Sequence, residues 1–341
     1  MIKTPLPSWL AMFSIPASWV YGLVICVRNI IYDGKNNVKH VPLPVIAVGN
    51  VTVGGSGKTP FVVWAVRQLR ASGHTPAIVI RGYGASNPSQ ADEVLEYKEQ
   101  LDDIDVIVGA DRVKEITKYL HAGGSADCLI MDDGFQHRKL HRDLDIVVLD
   151  YLRDPFSDRV LPAGWLREPL KSLRRADAIV ITHKEQVDLQ FSKAIRKISG
   201  KEPISWTSHH WLSLTLHDIK ESKDVGLNWL SGQSVAVRLG IGYPNHVIES
   251  LIKFGAEVNT RLLARDHKPF STSEIDSLVK VSNTVDGIVM TLKDWVKARD
   301  VIDISLLHCP IVVPKLSLEV AEGADDLDLL LRSVFKIEKV H

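Results

Sequence analysis

The chain has 341 residues, room for two domains at roughly 100 to 200 residues each, and its 45% hydrophobic content can supply two cores. Lysine plus arginine balance aspartate plus glutamate at 41 each, so no global field recruits nucleic acid and specificity must come from local sites. Cys26, Cys128 and Cys309 lie far apart without a C-x-x-C, which argues against a disulfide framework or structural zinc and for a reducing compartment.

The first element is apolar. Residues 4–27 carry no charge and nominally meet the ~20 residues needed to cross a bilayer. Pro5, Pro7 and Pro16 interrupt the run, and Pro16 is expected to break or kink a helix. The expectation is therefore two shorter segments lying in a membrane interface, with Trp9, Trp19 and Tyr21 near the headgroups and Arg28, Lys35 and Lys39 behind them. A core helix packed on the next domain is the competing reading. No clear small-residue cleavage site follows, so a cleaved signal peptide is not expected.

Next comes PVIAVGNVTVGGSGKTPFVVWAVRQL. Residues 45–48 read as a buried parallel strand, a glycine-rich loop follows, and Lys58-Thr59-Pro60 opens an amphipathic helix. Gly54, Gly55 and Gly57 let successive N–H groups turn inward on a polyphosphate at the positive end of a helix. Lys58 suits the β- and γ-phosphates, and the Thr59 hydroxyl suits Mg²⁺. Thr52 stands where the strict G-x-x-x-x-G-K-[ST] pattern has its first glycine.

The α/β rhythm continues, with strands expected at 77–80, 105–108, 128–131, 145–149 and 178–181 and a helix at about 111–120. Strands separated by helices imply a parallel sheet with ligand sites beyond the carboxyl ends of its strands. Asp132 and Asp133 follow one such strand, where P-loop enzymes hold Mg²⁺ or orient its waters. His137 and His141 carry no assignable role. A second α/β domain is expected to hold a strand at 234–239, a turn at 240–244, a helix at 245–254 and a strand at 287–291. The cleft between the domains is the expected place for a substrate headgroup.

The series VGNVTVGGSGKTP, RGYG, GADR at 109–112, DDGFQH, LPAGWLREP at 161–169, RADAIVIT, GIGYP at 240–244, Asp266-His267 and TLKD at 291–294 resembles the tetraacyldisaccharide 4'-kinase family over nearly the whole chain. The resemblance implies a P-loop NTPase-like parallel-sheet domain, a second, smaller α/β domain and an N-terminal membrane-associated helical segment. The implied boundaries are 1–32 for the membrane-associating segment, 33–205 for the kinase domain, 206–231 for a connecting region and 232–341 for the second domain. It further implies transfer of phosphate from ATP to the 4'-hydroxyl of a tetraacylated glucosamine disaccharide 1-phosphate, a step of lipid A synthesis. The implied setting is the cytoplasmic face of the inner membrane, with the chain peripheral or monotopic and an acylated disaccharide lipid as substrate.

By the same resemblance, Asn50, Thr52, Gly54, Gly55, Ser56, Gly57, Lys58 and Thr59 would hold ATP, with Gln136 and Arg167 nearby. Thr59, Asp132, Asp133 and Glu168 would contribute to the magnesium shell, and Lys58 would neutralise the transferring phosphoryl group. Asp92 would act as base toward the sugar hydroxyl, paired with His267. The chain departs from the family at Ala91-Asp92-Glu93-Val94, where many members have Gly-Asp-Glu-Pro after a longer insert. It also has Asp266-His267-Lys268 in place of Asp-His-His, and Thr291-Leu292-Lys293-Asp294 in place of Thr-Glu-Lys-Asp. Two other classes fit parts of the pattern: a lipid- and nucleotide-binding homologue that has lost transfer, and a P-loop ATPase switch.

Overall fold

Strands β1 (Val45–Gly49), β2 (Pro76–Ile80), β4 (Cys128–Asp132), β5 (Leu144–Asp150) and β6 (Ala178–Thr182) are buried at every position. Burial on both faces is what near-continuous apolar runs produce in a parallel sheet covered by helices. The computed structural model describes residues 11–34, 38–82, 91–242, 244–264 and 270–335. By its internal contacts the chain forms two units, the first comprising Met1–Arg81, Asp103–Ser208 and Leu318–His341 and the second Gly82–Asp102 and His209–Ser317.

In the first unit the strand order is β3-β2-β4-β1-β5-β6-β7, where β3 is Val106–Val108 and β7 is Ser205–His217, of which residues 205–208 fall in this unit and 209–217 in the second. Every pair is parallel. The expected strands are therefore present, with ends displaced by a residue or so. β1 lies between β4 and β5, and Val48 is in register with Asp132, so the glycine loop and the paired acids leave the sheet side by side. Alternate residues feed two cores. Val45, Ala47, Val79, Leu129 and Met131 face one side, while Val147, Leu149, Ile179 and Ile181 join Phe135, Leu166 and Trp206 in another cluster. Helix α2 (Lys58–Ala71) buries Phe61, Val62, Ala65, Val66 and Leu69.

Helix α1 (Ala11–Asp33) runs unbroken through Pro16, which corrects the expectation of two shorter pieces. Pro16 removes one backbone bond near the start of the described helix, and side-chain anchors further along hold the rest. Ser18 Oγ donates to Val160 O at 2.8 Å, Tyr21 Oη donates to Arg167 O at 3.0 Å, and Ser14 and Ile25 are buried. Tyr21 and Arg28 thus face the protein rather than headgroups. The opposite face exposes Phe13, Trp19, Val20, Leu23, Val24, Val27, Ile30 and Ile31, with Trp19 at 74%.

In the second unit, β9 (Ser234–Leu239) pairs in parallel with β10 (Glu257–Leu263) and β11 (Gly287–Met290), and β11 pairs with β12 (Ile311–Glu322), whose residues up to Ser317 fall in this unit. β8 (Ser222–Val225) pairs antiparallel with β7. Helices α6 (Pro244–Lys253), α7 (Thr272–Ser282) and α8 (Leu292–Ala298) complete its α/β pattern.

The units do not follow the chain order read from the sequence. Residues 206–231 are mostly strand and a 3-10 turn rather than a connector. Residues 318–341 fall in the first unit, where Ser205 Oγ donates to Glu322 O and α9 (Ala324–Ser333) packs near α2. Helix α3 (Asp92–Gln100) falls in the second because it packs on α8.

Candidate active site

The phosphate loop is held in shape from beneath. The buried Asn50 side chain donates from Nδ2 to Ser56 Oγ at 2.9 Å, and the Asn50 backbone carbonyl accepts from Gln136 Nε2 at 2.9 Å. Thr182 Oγ1, at the end of β6, donates to Ser56 O at 3.0 Å. On the outer edge, Val51–Val53 runs against the LPAGWLREP segment, with Val53 N donating to Trp165 O and Arg167 N to Val51 O, both at 2.7 Å. Asn50, Thr52, Ser56 and Gln136 therefore shape the loop. Asn50 Oδ1 and Gln136 Oε1 are buried acceptors without a hydrogen-bond donor among the described residues.

Two glycines are conformationally required. Gly54 has φ +98°, and a Cβ there would lie 2.8 Å from Arg153 Nη1, whose guanidinium caps Val53 O at 2.7 Å. Gly57, at φ 77°, turns the chain into α2 as its N-cap and places no side chain on the first-turn amides. Those N–H groups are free to receive an anion. Among the described residues nothing lies within 4 Å of the Cβ position of Gly55.

Beside the loop the acids are locked by backbone and cations. Asp133 takes φ 51°, and its N–H donates to Asp132 Oδ1 at 2.7 Å. Arg112, the first residue of α4 (Arg112–His121), donates from Nη2 to Asp132 O at 2.8 Å and reaches Asp133 O at 3.3 Å. Lys58 Nζ lies 3.4 Å from Asp133 Oδ1, and Arg167 Nη1 lies 2.8 and 2.7 Å from its two oxygens. Burial pushes the Asp133 carboxyl up, but Lys58 and Arg167 outweigh it and hold it at about 2. His137 behaves in the opposite sense: burial, reinforced by Arg112 and Arg142, depresses it to about 4, so its imidazole is neutral near pH 7.

Thr59 in the first turn of α2, with the carboxylates of Asp132 and Asp133, is a hard oxygen donor set that fits Mg²⁺ held together with a polyphosphate. Among the described residues no group of three or more His, Cys, Asp or Glu side chains forms a metal cage.

Glu168 departs from its expected place in that shell. It is fully buried, and its oxygens accept from Arg28 at 3.2 Å, Asn29 at 3.1 Å and Arg175 at 3.0 Å. Burial alone would raise its carboxyl, yet Arg175, Asn29 and Arg28 hold it below the ordinary value. Glu168 thus anchors α1. Asp92 opens α3 in the second unit, with Oδ2 2.7 Å from Lys297 Nζ. His267 lies outside the described residues.

Arg112, Arg153 and Thr182 were not singled out in the sequence. The GADR motif carried a signal for Arg112, since a basic residue opening the helix that follows a strand of a parallel sheet lies at the sheet's ligand edge. His183, at φ 61° with Nδ1 2.8 Å from Asp150 Oδ1, carried none.

The family model described as Tetraacyldisaccharide-1-P 4'-kinase matches residues 10–335. The tetraacyldisaccharide 4'-kinase of Chlorobaculum parvum is 32% identical, with 96% of this chain and 95% of that protein covered. That of Geobacter sulfurreducens is 33% identical over 84% of each chain. The crystal structure of "apo" form LpxK from Aquifex aeolicus in complex with ATP matches with a TM-score of 0.70 at 28% identity, covering 96% of this chain and 99% of that one. With its phosphate loop, paired acids and clustered cations, this chain belongs to the tetraacyldisaccharide-1-P 4'-kinase family.

Proposed function

We propose that the protein transfers the γ-phosphoryl group of ATP to the 4'-hydroxyl of a tetraacylated glucosamine disaccharide 1-phosphate, a step of lipid A synthesis. The observation that carries this reading is Lys58 and Arg167 converging on Asp133 at the open N-terminus of α2, in a chain of this family. A loose phosphoryl-transfer transition state spreads negative charge over its equatorial oxygens, so positioned cations and backbone amides do most of the work. Residues 54–59 cradle the phosphates, and Lys58 exchanges its contact with Asp133 for the transferring group.

Thr59, Asp132 and Asp133 would hold Mg²⁺, which would supply charge neutralisation to the transferring phosphoryl group. The sugar oxygen forms its bond to the γ-phosphorus as the bond to the β–γ bridging oxygen breaks. ADP leaves with that electron pair, and Asp92 takes the hydroxyl proton. His267 pairs with Asp92 in this reading. The exposed apolar face of α1 supports binding to a membrane surface where the acylated substrate resides, at the cytoplasmic face of the inner membrane. Balanced charge supports the absence of a nucleic-acid partner.

The test is transfer from labelled ATP to a tetraacyl disaccharide 1-phosphate in detergent micelles. The wild type transfers phosphate, and Lys58→Ala lowers the rate by at least about 100-fold, the scale of one removed transition-state donor. A wild type that binds ATP and phosphorylates no lipid overturns the reading.

A further inference from the structure

We propose that Lys297 is a positioning residue for phosphoryl transfer: its ammonium, 2.7 Å from Asp92 Oδ2, fixes that carboxylate in place and keeps it charged to receive the proton. This rests on Asp92 being the base, as read above.

Helices α3 and α8 pack against each other within the second unit and share two ion pairs of different character. Glu99 and Arg299, also 2.7 Å apart, are 40% and 34% exposed at their side chains. Such a pair stands in water and contributes little. Lys297 is only 9% exposed and Asp92 24%, so their attraction is less screened and the lysine has given up most of its hydration. Of the two pairs, Lys297–Asp92 is the drier. A desolvated ammonium against a half-buried carboxylate has a chemical consequence. It favours the ionised, proton-accepting form.

Asp92 is also the first residue of α3, where the helix dipole favours negative charge. The other charged groups are Glu93, Glu96, Lys98 and Glu99 on α3, Lys293 and Asp294 on α8, and Arg299 at the C-cap of α8. On β7, His217 stacks on Trp295 at 4.2 Å and feels the charges of Glu99 and Arg299. Asp294 is taken up by Arg238 at 2.6 Å and by Gly240 N.

The experiment measures kcat and KM for lipid phosphorylation against pH in full-length wild type, Lys297→Met, Lys297→Arg, Asp92→Asn and Glu99→Gln. Losing the ammonium raises the Asp92 pKa, so in Lys297→Met the acid limb of kcat moves up by about one pH unit. That costs about tenfold in kcat on the acid side, recovers as pH rises and leaves KM for ATP unchanged. Lys297→Arg restores the wild-type limb, and Glu99→Gln leaves it in place. An unshifted limb in Lys297→Met, alongside an inactive Asp92→Asn, overturns the role of Lys297 while leaving the base assignment standing. A shift of equal size in Glu99→Gln also overturns it, because helix docking would then be the cause. Full activity in Asp92→Asn removes the base reading itself.

Discussion

Arg167 Nη1 meets both carboxylate oxygens of Asp133, at 2.8 and 2.7 Å, while the next residue, Glu168, turns away to hold Arg28 and Asn29 of α1. One dipeptide therefore reaches both Asp133, at the end of β4, and the N-terminal helix.

Replacing Arg167 separates these roles. Arg167→Ala is expected to lower kcat for lipid phosphorylation about 100-fold, on the scale of a lost electrostatic contact to the reacting group. Arg167→Lys recovers only part of this, because a point charge does not reproduce the planar guanidinium. Steady-state kinetics with each variant check both statements.

Glu168→Ala is expected to cost about 3 kcal/mol of stability, since it strands the charges of Arg28 and Arg175 in a largely buried site. Denaturant unfolding measures that loss. The Mg²⁺ concentration dependence of ATP binding stays as in the wild type, whereas a lost magnesium ligand would displace it.

Half-buried Asp133 and buried Asp145 give opposite pH dependences. Asp133 is held at about 2, below its ordinary unfolded value, so its stabilisation is complete above pH ~4 and is lost as pH falls through about 2. The contribution is about 2 kcal/mol. Asp145 is raised to about 6 by burial, against the opposing pull of Arg142 and Arg175. Its raised value favours folding below the unfolded pKa and is lost as pH rises from ~4 to about 6. Melting temperature against pH in Asp133→Asn and Asp145→Asn is expected to lose the first and the second slope respectively.

The outer face of α1 carries the membrane prediction. Leu23 and Val27, 66% and 49% exposed, lie one turn apart on that face. Charging both with glutamate is expected to reduce sedimentation with anionic vesicles by more than tenfold, at roughly 1.5 to 3 kcal/mol of lost apolar burial per side chain. Nucleotide binding is retained, as neither side chain is part of the phosphate site.

Gly49, at the end of β1, is a backbone prediction. A Cβ there would lie 2.5 Å from Phe135 Cβ and 2.6 Å from Phe135 N. Gly49→Ala is expected to destabilise the fold by about 1 to 3 kcal/mol, the usual range for overpacking. A thermal melt reads it directly.

The parallel sheet, the glycine loop and the acids at the end of β4 were legible because each is written locally. Apolar β-branched runs make buried strands, and Gly54, Gly57 and Lys58 stand in sequence where a strand gives way to a helix. Tertiary structure decided what adjacency in the chain cannot encode. Pro16 looks like a helix breaker, yet α1 runs through it because Ser18, Tyr21, Arg28 and Asn29 bond to residues more than a hundred positions away. Glu168 reads as one more acid near a phosphate site, and only its three partners show which way it points. Asp92, one acid in a polar run, acquires a specific environment when α3 packs on α8 and Lys297 arrives from 205 positions further along. Local propensity and periodicity determined the elements and the phosphate loop; long-range ion pairing determined the partner and direction of each charged side chain, because Coulomb energy depends on distance and burial, which folding alone sets.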